Sequence, residues 1–182
     1  MNVNDCKVMF SHKNDEYQTP QKLFDLLDAE FHFNVHAAAN SENTLCKWYL
    51  GEDYAGQKEN LLIIDWQRTL FQDGLTQNYC KIFFLNPPYS QIGPFIKKAY
   101  EESLKGATVV CLIPVRSDTR YWHDYIMKSE EIRFIKGRLK FTLPYELWND
   151  QLKPVTNSAP FPSCIVVFRN HYGSTNISSY KI

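Results

Sequence analysis

Lys81-Ile82-Phe83-Phe84-Leu85-Asn86-Pro87-Pro88-Tyr89-Ser90 is an apolar β-type run that stops abruptly at Asn-Pro-Pro-Tyr. Two consecutive prolines remove two backbone donors and hold φ near about −65°, so the chain leaves a sheet there in a stiff, extended turn. The turn leaves the carbonyl oxygens of Asn86 and Pro87 without local partners. It also sets an Asn amide and the Tyr89 ring at the mouth of the sheet. These groups suit a planar molecule that bears an exocyclic NH2. Such a nitrogen is a poor nucleophile because its lone pair is delocalised into the ring. The Asn86 side-chain oxygen and the Pro87 carbonyl can accept both of its hydrogens, favour a more tetrahedral nitrogen and stabilise the charge that develops as it attacks an electrophilic methyl. Tyr89 can stack on the ring and hold the nitrogen in line. The plain alternative is a Pro-rich turn after a strand.

The pattern on either side of this stretch reads as alternating strands and helices. Thr19-Pro20 reads as an N-cap with Pro at the first helical position, followed by a buried stripe of Leu23, Leu26, Leu27 and Phe31. Phe31, Phe33 and Val35 alternate as a first strand. The runs 61–64 and 82–85 read as strands buried on both faces. Ile92, Phe95, Ile96, Ala99 and Tyr100 keep helical spacing towards Gly106. A strand over 108–113, a helix over 117–128 and strands over 132–135 and 164–168 follow. This order predicts a mostly parallel sheet with helices on both faces, the last two strands being candidates for antiparallel pairing. Ligands of such sheets bind beyond the carboxyl ends of the strands, where Asn86 falls. Residues 1–14 read as a loose arm, 15–170 as one domain and 171–182 as a tail.

The length of 182 residues fits a single domain with a sizeable core, and 44% apolar and 15% aromatic residues make it globular. There is no membrane-length apolar stretch and no signal-peptide pattern, and the five cysteines are widely spaced without a Cys-x-x-Cys pair. Reduced, buried thiols, no metal site and a cytoplasmic location are the expectation. Net charge is zero, yet residues 1–75 carry 6 Lys/Arg against 12 Asp/Glu while residues 76–182 carry 14 against 8. The basic excess is densest at Lys128, Arg133, Lys136, Arg138 and Lys140, interleaved with Phe134 and Phe141. It suits phosphate contact, and equally a set of solvated faces.

With Tyr17-Gln18-Thr19-Pro20, Phe33-Asn34-Val35-His36-Ala37-Ala38, Asn86-Pro87-Pro88-Tyr89-Ser90, Gly137-Arg138-Leu139-Lys140-Phe141 and Pro160-Phe161-Pro162-Ser163, the chain resembles the small phage-type DNA N6-adenine methyltransferases. The resemblance runs from about Tyr17 to Phe168. It implies a Rossmann-like class I methyltransferase fold with a seven-stranded sheet, S-adenosyl-L-methionine as methyl donor, DNA as partner, and work in the bacterial host cytoplasm if phage-encoded. It implies that Asn86, Pro87, Pro88 and Tyr89 are the catalytic turn and that Tyr17, Thr19 and Pro20 belong to a Thr-Pro element that contacts the methionine carboxylate. In the family an Asp precedes a short Ala pair and contacts the cofactor. Here His36 stands in its place before Ala37 and Ala38, and a neutral imidazole cannot offer a carboxylate to the methionine ammonium.

Further cofactor candidates come from the acids and amides between the strands. Asp53 or Glu52 suits the ribose hydroxyls, and Asp65 or Asn60 the adenine amino group, though each is equally a solvated loop residue. On the substrate side, Phe141 is a candidate second face or wall for the base, or else a core aromatic. Ser90 can bond the base edge or cap the next helix, and Arg138 and Lys140 can meet phosphates. Loops 114–125 and 142–160 are left to read DNA sequence, and the resemblance suggests a short, GATC-like site. A target base has to leave the duplex to reach Asn86. Two other readings stay open: a methyltransferase on another planar NH2 group (cytosine N4, RNA adenine or a glutamine amide), and a degenerate fold that binds DNA without cofactor.

Overall fold

In strand β3 (Ile82–Leu85) the side chains of Phe83 and Leu85 pack on one side of a sheet and Phe84 on the other, all fully buried. The same alternation recurs in β4 (Thr108–Pro114), with Val109, Cys111 and Ile113 against Val110 and Leu112. In β8 (Ser163–Phe168) it separates Cys164, Val166 and Phe168 from Ile165 and Val167. Strands apolar on both faces need cover on both, and the chain supplies it. Helix α1 (Gln21–Phe31) lays Leu23, Phe24, Leu27 and Phe31 on the Phe84 side. Helix α2 (Ile92–Leu104) lays Ile92, Phe95, Ile96 and Ala99 on the Phe83 side. The computed structural model describes residues 17–51, 61–67, 81–148, 151–170 and 173–182, with the backbone alone over 142–148 and 151–157. The expected arm over 1–14 lies outside these residues.

The remaining elements are β1 (Val35–Ala37), β2 (Trp48–Leu50), a short helix α3 (Arg120–Asp124), β5 (Glu131–Ile135), β6 (Lys140–Trp148), β7 (Gln151–Ser158) and β9 (Asn176–Tyr180). Seven strands form one sheet in the order β2-β1-β3-β4-β8-β5-β9. Every neighbouring pair is parallel except the two that β8 makes, with β4 and with β5. The chain thus has the expected Rossmann-like, mostly parallel α/β architecture, with β8 as the one reversed strand. β5 therefore runs with β3 and β4, and is not the second antiparallel strand. The carboxyl ends of β1, β3, β4 and β5 all open on one edge, and β8 starts from that same edge.

Several local expectations give way to the packing. Residues 61–64 form a turn, with Leu61 and Ile64 buried but Ile63 79% exposed. The Trp66 indole closes the turn by donating to the Leu61 carbonyl at 2.9 Å. Four apolar residues alone do not distinguish a strand from a turn pinned at its ends. Phe31 ends α1, so the first strand starts only at Val35, and Phe33 packs on Phe24 and Phe31 in the connection. Thr19 does not cap α1: Pro20 holds the N-cap position, and its carbonyl accepts from Leu23 and Phe24. The helix expected over 117–128 is shorter, with α3 followed by a 3-10 turn at Ile126–Lys128. The expected tail contributes β9, an exposed edge strand paired with β5. Its polar run Asn176-Ile177-Ser178-Ser179-Tyr180 lacks the apolar content that marks a strand in sequence. The expected loop over 142–160 contains the β6–β7 ribbon, a separate two-stranded sheet. The cysteines Cys46, Cys111 and Cys164 are free thiols, and burial pushes Cys46 and Cys164 up to about 12.

A buried ion pair fixes the 61–67 segment to α2. The Lys98 ammonium, 5% exposed, donates to the Ile64 carbonyl and to Glu102 at 2.6 Å. Lys105 bridges the same carboxylate at 3.1 Å and Asp65 at 2.9 Å. Removing one partner strands a charge in the core, which costs about 3–5 kcal/mol. Glu102→Ala is expected to lower unfolding free energy by about that amount in urea titrations. The double variant Lys98→Met/Glu102→Leu is expected to recover most of it. A single variant as stable as wild type would show the pair to be solvated.

Candidate active site

The Asn86 side chain leaves the end of β3 with its amide orientation fixed. Its NH2 donates to the Tyr17 carbonyl at 2.6 Å and to the Thr19 hydroxyl at 3.1 Å. A carbonyl can only accept, so the nitrogen must face Tyr17 and the oxygen must face away. That oxygen, Oδ1, is buried and has no partner among the described residues. An orphaned buried acceptor costs about 1–3 kcal/mol and calls for a donor from outside the fold. The prolines set the geometry that follows. Pro88 opens a 3-10 turn over Tyr89–Gln91, and its carbonyl accepts from Gln91 at 3.0 Å. The Pro87 carbonyl takes no part in that turn, and no donor reaches it among the described residues. Asn86 and Pro87 thus hold two acceptors in adjacent positions, as the two-proline turn requires.

Tyr89 is 7% exposed, and its hydroxyl is buried without a partner among the described residues. Burial pushes its phenol well above the ordinary range, so it stays protonated. The Tyr17 ring stacks on it at 5.3 Å between centroids and 25° between planes. Phe161 meets Tyr89 edge-on at 5.4 Å, and Phe141 does so at 6.3 Å. Phe141 is itself fully buried, at the root of the β6–β7 ribbon, where the Ala159 amide donates to the Leu139 carbonyl at 2.7 Å. It belongs to the core and also meets the Tyr17 and Tyr89 rings. Phe161 was not among the candidates, although the Pro160-Phe161-Pro162-Ser163 stretch carried the signal. Ser90 lies exposed within the 3-10 turn, and the N-cap of α2 is Gln91, so Ser90 does not cap that helix.

Beside Asn86 opens a cavity of about 160 Å³, lined among others by Tyr17, Thr19, His36, Ala38 and Pro88. Ala38 turns the chain out of β1 with φ 57°, a left-handed conformation that a side chain rarely adopts. Ala37 is not a lining residue: it alternates to the other face and packs in the core beneath α2. His36 is 5% exposed, and its Nδ1 accepts the Leu45 amide at 3.2 Å. Burial lowers its pKa to about 4, so the ring is neutral. Asn43 also lines the cavity and was missed.

Asp65 is carried away from this site. Its carboxylate bridges Lys105, just past the end of α2, and the helix itself is about 20 Å long. Asp53, Glu52 and Asn60 lie outside the described residues. Of the basic segment, Arg133 is consumed by Glu30, in a two-pronged pair at 2.6 Å for each bond, and by Glu131. Lys128 sits at the opposite edge with its ammonium over the Tyr100 ring. Arg138 and Lys140 are exposed on the site's edge, and Arg116 joins them from the turn after β4, close enough for its charge to act on Tyr89. Among the described residues no three metal-ligating side chains cluster, and no helix is long and apolar enough to cross a membrane.

The model of the family described as DNA N-6-adenine-methyltransferase (Dam) matches residues 8–182. The chain is 28% identical over 172 residues to the DNA N-6-adenine-methyltransferase of Haemophilus phage HP1, covering 91% of this chain and 86% of that one. It is 27% identical over 126 residues to the DNA N-6-adenine-methyltransferase of Escherichia phage T1, covering 69% of this chain but 46% of that one. A solved SAM-dependent O-methyltransferase of Thermotoga maritima covers 95% of the chain and 74% of its own length at 10% identity and a TM-score of 0.43, a likeness too loose to bear on the site.

His36 gives the site a pH signature. It titrates at about 4 in the fold against 6.5 in the open chain. Between these values the unfolded chain binds a proton that the native protein refuses. The stability it secures is therefore complete above the open-chain value and is lost as pH falls towards the folded one. The urea midpoint is expected to drop from about pH 7 to about pH 5, and to drop less in His36→Asn. Equal drops in both proteins would mean that the imidazole is already solvated.

Proposed function

Since the chain belongs to the DNA N-6-adenine-methyltransferase (Dam) family, we propose that it transfers the methyl group of S-adenosylmethionine to the N6 amino group of adenine in DNA, at the turn Asn86-Pro87-Pro88-Tyr89. The observation that carries the site assignment is the buried, unpartnered Oδ1 of Asn86, held outward by the two acceptors behind it. S-adenosylmethionine supplies an electrophilic methyl on sulfur. Asn86 Oδ1 and the Pro87 carbonyl accept the two amino hydrogens, and they bind more strongly as positive charge grows on the nitrogen. The surplus hydrogen of the methylated nitrogen needs no base: the Tyr89 phenol stays protonated and His36 Nδ1 is engaged by Leu45, and the positively charged methylated amine is acidic enough to give one of its two original hydrogens to water.

The target adenine leaves the duplex, at a cost of a few kcal/mol that stacking offsets. It stacks against Tyr89, where the Tyr17 ring lies in the free protein, with Phe141 and Phe161 as walls. His36, Ala38 and Thr19 hold the cofactor next to it in the shared cavity. Arg116, Arg138 and Lys140 meet phosphates. The β6–β7 ribbon, about 25 Å long and rooted on the same edge, is the element of suitable width for a major groove and reads the sequence there. Acting on DNA, the enzyme works in the cytoplasm, that of the bacterial host if the chain is phage-encoded.

Asn86→Ala tests the assignment. Turnover of labelled methyl into unmethylated DNA is expected to fall roughly 10²–10³-fold with the fold intact, because the lost acceptor acts on transition-state charge. Retention of more than about a tenth of wild-type turnover would remove Asn86 from the chemistry. The edge cations make a separate prediction. Replacing Arg138 and Lys140 together by Gln is expected to flatten the log–log salt dependence of DNA binding by about 2. An unchanged slope would place the phosphate contacts elsewhere.

A further inference from the structure

His36 stands where the family pattern expects an acid, and its surroundings define what it offers instead. Nδ1 accepts the Leu45 amide, so the proton of the neutral ring sits on Nε2. The ring cannot easily turn, because it lies against Phe84 at 5.1 Å between centroids, its partner residue in the β1–β3 ladder. Nε2 has no hydrogen-bond partner among the described residues, and His36 lines the cavity beside Asn86. The residue therefore presents one N–H donor and no acceptor. An acid at this position would present the opposite sense. The described lining of the cavity contains no Asp or Glu either: its other side chains are those of Tyr17, Gln18, Thr19, Ala38, Asn43, Asn86 and Pro88. An ammonium finds no counter-charge among them.

The inference rests on the cavity being the S-adenosylmethionine site. A cofactor that brings its methyl to the Asn86 turn has its sulfonium there, and of the two arms that the sulfonium carries besides the methyl only the amino-acid tail bears charged groups. That tail carries one anion and one cation, and a lone donor discriminates between them. We propose that His36 binds the methionine carboxylate through Nε2–H, so that this chain recognises the cofactor tail by its anion at the position where an acid would recognise the ammonium. His36 is thus a specificity-determining residue for the tail.

Calorimetry with S-adenosylmethionine and its decarboxylated analogue, which keeps the ammonium, tests this without any turnover. Wild type is expected to bind the decarboxylated analogue roughly 10- to 100-fold more weakly, the range of a hydrogen bond to a charged group. In His36→Asn the amide oxygen can keep the Leu45 contact while nothing reaches the tail, so this discrimination is expected to shrink by about tenfold. In His36→Asp the preference is expected to reverse, because a carboxylate now faces a carboxylate. The inference is overturned if wild type binds both ligands within about threefold, a difference under ~1 kcal/mol. It is also overturned if His36→Asn keeps the full discrimination, or if His36→Asp tightens both ligands alike, as an ammonium contact requires. Wild type binding neither ligand would overturn the cavity assignment and this inference with it. Binding of S-adenosylmethionine with unchanged discrimination in His36→Asn overturns the inference alone.

Discussion

The Tyr17 carbonyl fixes which way the Asn86 amide faces, and much of the site depends on that one bond. With the NH2 turned back onto Tyr17 and Thr19, the remaining polar atom of the Asn86 side chain is an acceptor, and it is buried without a partner among the described residues. A fold that minimised its own free energy would satisfy that oxygen, at a gain of about 1–3 kcal/mol. The same bond ties residue 17 to residue 86 across the sheet edge, and it brings the Tyr17 ring onto Tyr89. Orientation of the acceptor, cover for the aromatic ring and one wall of the cavity thus come from a single residue placed before α1. Strain at Ala38, across the same cavity, adds to the picture of a site held in place by the surrounding packing.

Charge is distributed to match. Four ion-paired cations, Lys98, Lys105, Arg133 and Arg169, bind the elements to one another. Arg133 shows this most clearly: two carboxylates and the rings of Phe31 and Tyr180 surround its guanidinium, and its pKa is raised as a result. Arg116, Arg138 and Lys140 stand exposed on the edge where Asn86 lies. A protein of zero net charge can therefore still present a cationic edge to a polyanion. The cavity is different in kind. Its described lining holds no charged side chain, and what it presents is hydrogen-bonding groups.

How much was legible in the sequence follows from what each feature depends on. The Asn-Pro-Pro-Tyr turn was readable because proline chemistry is local, and β3, β4 and β8 were readable because strands buried on both faces are continuously apolar. The reversal of β8 with β5 left parallel was not readable, since direction in the sheet depends on the long β6–β7 excursion that returns the chain to the edge it left. β9 was hidden by its polar composition, being an exposed edge strand. Thr19 looked like a helix cap because the Thr-Pro pattern is the same whether the hydroxyl meets a backbone amide or, as here, the amide of a residue 67 positions away. Asp65 looked like a ligand candidate because no local pattern announces a partner at Lys105, which is 40 positions along the chain. The position of His36 was legible, but its hydrogen-bond sense was not, because Leu45 sets it from the far side of a turn.

The reaction is read most directly from the identity of the modified nucleoside. Wild-type protein incubated with labelled S-adenosylmethionine and unmethylated DNA, followed by digestion and chromatography, is predicted to place the label in N6-methyldeoxyadenosine. Label in N4-methyldeoxycytidine would contradict the substrate, and DNA left without label under conditions where the cofactor binds would contradict the reaction itself.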